Sequence, residues 1–500
     1  MFQALRSQLP ARLAPAALAA LAACGGEAKE LSSPPQPQRP LLVISLDTLR
    51  ADRLGCYGYD RPTSPALDRL AARGVLFEDV ASPSAKTATS HMSMFTGLHP
   101  GVHGVRNTYD GVAFAPHPDF TTIFEAAHKA GYITAGFSGG GMMSAEMGFG
   151  RGFDLYDARG GGGDRVFARA TAWLEEEEDL IENEPIALLV HTYEIHDPYT
   201  PPRTWREEFV DPGYSGAIDP TRVELPLDSA ETWKTDPQFY TDVQDRFWGG
   251  FDGASAADIA FLSDLYDAGI AYTDSLLGEF LDQVAKTRFG REGLIVVTSD
   301  HGDEFSEHGN LTHQSIFQEV LHVPLVFALP PSDSDHGRRA GTRVARPVRG
   351  IDLGPTLAEW CAVTLSEHVQ GISLLPEVRG EAGPHLPTWS EIGSVANELA
   401  SLRDGAYKVI APKSEPGEGV LFDLQIDAGE RFERRAAYPE KFEELRARLD
   451  STVRAHSTLA ARYPVSEVEL GAESLGALQA LGYTGDEQPK PTEEPTEDRE

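Results

Sequence analysis

The sequence predicts an α/β fold: a large, mainly parallel sheet sandwiched by helices, with a smaller C-terminal α+β subdomain. From Leu41 to about residue 386, short apolar runs alternate with segments of helical pattern, and several of the runs end in a polar residue. Such alternation makes parallel strands whose connecting helices cover both faces. After about Pro387 the texture changes to short strand-like pieces and one amphipathic helix.

Taken in order, residues 1–23 read as a lipoprotein signal peptide. Arg6 and Arg12 precede an Ala/Leu-rich stretch from Leu13 to Ala23, and Leu21-Ala22-Ala23-Cys24 resembles a bacterial lipobox. The stretch is too short to cross a bilayer core of about 30 Å. Cys24 is then the lipidated first residue of an exported protein, periplasmic or on the cell surface, held to the membrane by that anchor only. An ordinary signal peptide with an incidental Cys is the plainer alternative. Residues 24–40, rich in Ser, Pro and Gln, suit a flexible tether. Cys56 and Cys361 remain, to pair in an oxidising compartment or to stay as buried small hydrophobes.

Residues 41–386 form the main body. Leu41–Leu46, Ile133–Phe137, Ile186–Val190, Leu294–Thr298 and Val323–Ala328 read as buried strands. Pro65–Arg73 reads as a helix with Ser64 as its cap and Gly74 as its stop, and Ala257–Lys286 as a longer helical region. Arg203–Ser255 is polar, aromatic and irregular, an insertion suited to walling a site. Residues 387–484 make the subdomain, with strands at Ala406–Ile410 and Val420–Leu424 and a helix at Pro439–His456. Residues 485–500 are an acidic, Pro-containing disordered tail.

With 77 acidic against 43 basic side chains, the net charge of -34 repels a nucleic-acid backbone. A small anionic substrate is not excluded, because a metal ion and a few His or Lys reverse the field inside one pocket. Asp47 follows the first strand, His196 lies beyond the Ile186 strand, and Asp300-His301 follows the Leu294 strand. Ligands bind at the carboxyl ends of strands in such sheets, and hard oxygen plus imidazole donors suit a divalent cation. Each residue alone also fits a turn, a helix cap or a satisfied structural histidine.

Three runs carry a family resemblance: LVISLDTLRADRLGCYGY from Leu42, SAKTATSHMSMFTGLHPGVHGV from Ser84, and TSDHGDEFSEHGNLTHQSIFQEVLHVPLVF from Thr298. They are similar to the first metal loop, the nucleophile segment and the second metal motif of sulfatases, in the family's order. HTYEIHDPYTPP from His191, RGFDLYD from Arg151, GIDLGPTLAEW from Gly350, LFDL at Leu421 and LGY at Leu481 extend the resemblance from about Pro40 to Thr484.

The resemblance implies a metal-dependent hydrolase of the alkaline phosphatase superfamily, with Asp47, Thr87, Asp300 and His301 around one divalent ion (Ca, Mg, Mn or Zn) and room for a second. In sulfatases the oxidisable nucleophile lies nine residues before a Thr-Gly, and here that count reaches Thr87. Cys, Pro and Arg of the family motif are all replaced in Thr87-Ala88-Thr89-Ser90-His91, so a formylglycine is not expected and the Thr87 hydroxyl itself attacks. The second Asp of the usual pair is Thr48. His91, at the family's Arg position, is expected to donate to the anion, His196 and His313 to contact substrate and protonate the leaving group, and Asn107 to touch the anion. The expected substrate is a sulfated or phosphorylated alcohol, sugar or lipid, with phosphate and phosphonate esters favoured because a Thr ester has no hemiacetal exit. Two rival readings are a phosphoethanolamine- or glycerol-phosphate-type phosphotransferase and a catalytically inactive binding module.

Overall fold

A computed structural model describes residues 38–107, 112–218, 247, 255–392, 398–415 and 417–480. The signal peptide, Cys24, the tether as far as residue 37, the LGY run and the acidic tail lie outside the described residues.

The central sheet is built from β1 (Leu41–Leu46), β2 (Val75–Phe77), β3 (Ile133–Phe137), β4 (Leu155–Asp157), β5 (Ile186–Thr192), β6 (Leu294–Thr298), β7 (Leu325–Ala328) and β8 (Thr342–Val344), in the spatial order β8-β2-β7-β6-β1-β5-β3-β4. β1 is central, pairing in parallel with β5 from Leu41↔Ala187 to Leu46↔Thr192 and with β6 from Leu41↔Leu294 to Ser45↔Thr298. That position explains its unbroken apolar run: both faces are covered, so alternation with polar residues is absent.

One strand departs from the parallel reading of the sequence. β7 runs antiparallel to both β6 and β2. A parallel return needs a crossover of a dozen or more residues, usually helical. Between β6 and β7 the chain instead forms a two-stranded ribbon, Glu304–Phe305 with Leu311–Thr312, and a four-residue helix at Gln318–Leu321. The strand itself begins at Leu325, two residues later than Val323.

The helices that matter for the site are α1 (Pro65–Arg73), α2 (Thr87–Thr96), α3 (Gly163–Glu176), α4 (Ala256–Val284) and α5 (Leu353–Cys361). They divide between the faces of the sheet as the alternation of β1 dictates. Leu42, Ile44 and Leu46 share a core with Leu67 and Leu70 of α1, Val166 and Phe167 of α3, and Phe261 and Leu265 of α4. Leu41 and Val43 share another with Met92 and Phe95 of α2 and with Leu353 and Leu357 of α5.

Ser64 precedes α1, but its side chain does not cap it. The first free amides, Ala66 N and Leu67 N, donate instead to the Asp274 carboxylate of α4 at 2.7 and 2.8 Å. Burial pushes the Asp274 carboxyl up to about 6 despite these donors. A cap supplied by a distant helix satisfies the same orphan groups as a local one.

The C-terminal sheet is antiparallel: β9 (Thr388–Glu391), β10 (Leu399–Asp404), β11 (Tyr407–Pro412) and β12 (Val420–Asp423), in that order. Helix α6 (Pro439–Ala460) closes it, burying Phe442, Leu445 and Leu449 against Trp389, Leu402, Val409 and Leu421. After α6 the chain returns to the main body, where Ser466–Glu469 pairs antiparallel with Val112–Ala115. Arg203–Phe209, in the stretch read as irregular, is a short helix, and most of the rest of that stretch lies outside the described residues. Cys56 and Cys361 are both free thiols, the first partly buried and the second fully.

Candidate active site

The carboxyl ends of β1 and β6 bring the predicted residues together. Asp47 follows β1, Asp300 and His301 follow β6, and all three are completely buried. Ligand atoms of Asp47, Asp300 and His301 lie within 4.8 Å of one another. Thr87, also fully buried, occupies the first position of α2, and its Oγ1 lies 3.4 Å from His301 Nε2. The tautomer of His301 follows from its other nitrogen. Nδ1 lies 3.1 Å from the Gly302 carbonyl, which can only accept, so Nδ1 carries the proton and Nε2 presents its lone pair to Thr87.

Two buried carboxylates so close repel each other. Burial pushes the Asp47 carboxyl up, and the charge on Asp300 pushes it further. Burial acts on Asp300 in the same sense, but His301, His91 and His191 hold it down at about 2. Asp47 Oδ1 and Asp300 Oδ2 have no hydrogen-bond partner among the described residues. Unpaired buried carboxylate oxygens are costly, and facing hard oxygens beside an imidazole lone pair are a ligand set for a divalent cation. The residues present therefore fit such an ion.

Further side chains fix this set, and sequence reasoning missed most of them. His191, at the end of β5, places Nε2 3.2 Å from Asp47 Oδ2, with Nδ1 3.2 Å from Ser138 Oγ. Burial, then the neighbouring His91, hold it well below the usual imidazole range, so it is neutral. Thr48 takes a left-handed backbone at φ 58° that points its N–H at Asp300 Oδ1, 3.3 Å away.

His91 is not placed as expected. Its Nδ1 lies 3.0 Å from the Thr87 carbonyl, one turn back along α2, and its Nε2 lies 2.8 Å from Ser45 Oγ on β1. Nδ1 must donate to that carbonyl, so Nε2 accepts from the serine. Both ring nitrogens are thus engaged with the scaffold. His91 fastens α2 to the central strand, because an imidazole four residues along α2 lies over the start of the helix, where a long Arg would reach past it.

His313 and His196 stand together, ring centroids 5.2 Å apart, and His313 is 4.5 Å from His301. His313 Nδ1 is 2.8 Å from Asp303 Oδ1, and Tyr199 donates to Asp303 Oδ2 at 2.9 Å. Burial, then the charge of Asp197, raise the Asp303 carboxyl well above its ordinary range. Burial, then Lys86, lower His313 well below its own. Asp303 lies inside the Thr298 run, but nothing local in that run distinguishes a carboxylate that orients a histidine ten residues on from a turn residue. Asn107 accepts from Ala88 N at 3.0 Å through Oδ1, which fixes its amide orientation. Its Nδ2 donor is buried without a partner among the described residues.

A hydroxyl at a helix N-terminus, set over two buried carboxyls and an imidazole at the carboxyl ends of a mainly parallel sheet, is an arrangement suited to hydrolysing anionic esters on an α/β scaffold. The Sulfatase family model matches residues 39–363, and the chain belongs to that family. It is 29% identical over 259 residues to choline-sulfatase of Rhizobium meliloti, covering 51% of this chain and 47% of that protein, so it spans about half the length of that relative. It is 25% identical to the Delta 4,5-hexuronate-2-O-sulfatase of Bacteroides thetaiotaomicron over 466 residues, covering 87% of this chain and 91% of the other. The fold is shared with the phosphonate monoester hydrolase of Agrobacterium radiobacter, at a TM-score of 0.65, 20% identity and coverage of 84% and 96%. It is also shared with a protein solved with its substrate D-glucosamine-2-N,6-O-disulfate, at a TM-score of 0.66, 20% identity and coverage of 84% and 98%.

Proposed function

We propose that this chain hydrolyses sulfate or phosphate/phosphonate esters through a covalent ester on Thr87, with a divalent cation held by Asp47, Asp300, His301 and Thr87. The observation that carries the reading is the pair of unpartnered carboxylate oxygens, Asp47 Oδ1 and Asp300 Oδ2, beside that hydroxyl. A cation bound there would stabilise negative charge on Thr87 Oγ1 and on the ester's non-bridging oxygens.

Thr87 Oγ1, its proton lost beforehand to bulk water, forms the new bond to sulfur or phosphorus as the bond to the alcohol breaks, and it departs again in that deprotonated form when water attacks. Helix α2 directs its free amides at the anion, and Asn107 Nδ2 adds a donor. The departing oxygen takes a proton from His313 Nε2, and the proton shared between Asp303 Oδ1 and His313 Nδ1 shifts onto the ring as it does so. Water then attacks the Thr87 ester, giving its proton back to the same pair and releasing the inorganic or phosphonic acid anion. His196 lines this side of the site.

Leaving-group protonation is tested by His313→Gln. Alkyl esters, whose alkoxides need the proton, slow by about 10²- to 10³-fold, whereas p-nitrophenyl esters slow far less. Equal slowing of both on a panel of sulfate, phosphate and phosphonate esters, with Mn, Mg, Ca or Zn added, would refute the assignment. Failure of the wild-type protein to cleave any of them would refute the hydrolase reading.

For location, we propose that Cys24 carries the lipid anchor described above. No helix among the described residues is long and apolar enough to cross a membrane. Cys24→Ser is expected to move the protein from the membrane to the soluble fraction on fractionation. A wild-type protein already fully soluble after export would overturn the anchor.

A further inference from the structure

Lys86 is a buried cation that the mechanism above does not use. It stands immediately before Thr87 as the residue flanking the start of α2, and it is 1% exposed. Its Nζ donates to the His313 carbonyl at 3.1 Å and reaches Gln314 Oε1 at 3.5 Å. Both acceptors are neutral. No carboxylate of the described residues lies within ion-pair distance of it.

The other buried lysine among the described residues is treated differently. Lys408, 2% exposed in its side chain, is paired with Glu430 at 2.8 Å. A buried ammonium without a counter-ion carries a large desolvation penalty, and Lys86 sits beside a cage whose own two carboxylates lie within reach of His301 rather than of the lysine. Against the first turn of α2, Asn107 Nδ2 is a buried donor lacking an acceptor among the described residues, its amide held at Ala88 N by its own oxygen. A buried charge without a carboxylate partner among the described residues and a buried amide donor without an acceptor therefore flank Thr87.

We propose that Lys86 and Asn107 form the subsite for the non-bridging oxygens of the transferred group, and that Lys86 supplies the charge that restricts the enzyme to esters whose transferred group is itself anionic. Sulfate monoesters, phosphate esters and phosphonate monoesters belong to this class; carboxylic esters and neutral triesters do not. This rests on the hydrolase reading above. It adds a lysine to the substrate contacts and excludes a purely structural role in which Lys86 only pins residues 313–314 to the nucleophile helix.

The test is binding of inorganic phosphate and sulfate to the metal-supplemented full chain by calorimetry, beside inhibition by phenol, a neutral product of aryl esters. Lys86→Gln is expected to weaken both anions by about tenfold to a hundredfold and to leave phenol within about threefold, while Lys86→Arg recovers most of the anion affinity. Unchanged anion affinity in folded Lys86→Gln, or equal losses for phenol and the anions, overturns the proposal. Should that variant fail to fold, Gln314→Ala decides: anion binding is retained if Lys86 holds the ligand, and falls if Lys86 is only a strut. Phosphate binding that depends on Lys86 in a protein that cleaves no ester would sink the hydrolase reading and leave the subsite standing.

Discussion

Thr87→Ala is expected to lose turnover by about four orders of magnitude or more, the usual cost of removing a nucleophile, and Thr87→Ser to retain part of it. The loss concerns the hydroxyl, not the fold, because Thr87 Oγ1 has His301 Nε2 as its near neighbour at 3.4 Å and the helix begins without a side-chain cap. Thr89 and Ser90 are the competing hydroxyls. Ser90 Oγ donates to the Asp300 carbonyl at 2.8 Å and lies 3.2 Å from Ser82 Oγ, so it is occupied with the backbone under the site. Thr89 Oγ1 is buried without a partner among the described residues, which makes it the sharper control. Mass spectrometry of a quenched reaction with a slow ester is expected to map the adduct to Thr87; an adduct on Thr89 would move the nucleophile by two residues.

Asp47→Asn is expected to have opposite effects with and without metal. The purified variant should retain less than about a tenth of the wild-type metal content, by elemental analysis, and lose the metal-linked stabilisation, which reaches about 2.7 kcal/mol when free ion exceeds its dissociation constant a hundredfold. In chelator the order reverses. The raised carboxyl of Asp47 contributes stability that is complete below the ordinary carboxylate range and lost as pH rises through its elevated folded value. In chelator the melting temperature of wild type relative to Asp47→Asn is therefore expected to fall from acid toward neutral pH. A variant that melts lower than wild type in chelator across that range would show that the two carboxylates are not in conflict.

Much of the scaffold was legible because it is local. β1, β3, β6 and α1 begin and end where apolar runs and the Pro65 and Gly74 punctuation place them, and Asp47, Asp300 and His301 sit at the strand ends that an open sheet makes reactive. What the sequence hid is the partner of each group. His191 lies just past the strand read at Ile186–Val190, as the first residue of a longer run, yet it orients Asp47; Tyr199 and Asp303 hold His313; Asp274 caps a helix some two hundred positions away. None of these pairings leaves a periodic trace, because each joins elements set by topology and not by spacing. His91 shows the converse: its position was found from the nucleophile run, and its orientation was decided by Ser45 on another element.

The pairing of Ser466–Glu469 with Val112–Ala115 ties the last described strand to one of the early ones. About 350 residues separate the two, and closing so long a loop is entropically slow while costing little more at equilibrium than closing a moderate one. During synthesis the strand at Val112 waits with an open edge until Ser466–Glu469 has emerged. The final segment thus acts as a late-arriving fastener: a protein cut after α6 would leave that edge bare to neighbouring molecules, so loss of the C-terminal strand is expected to register first as self-association.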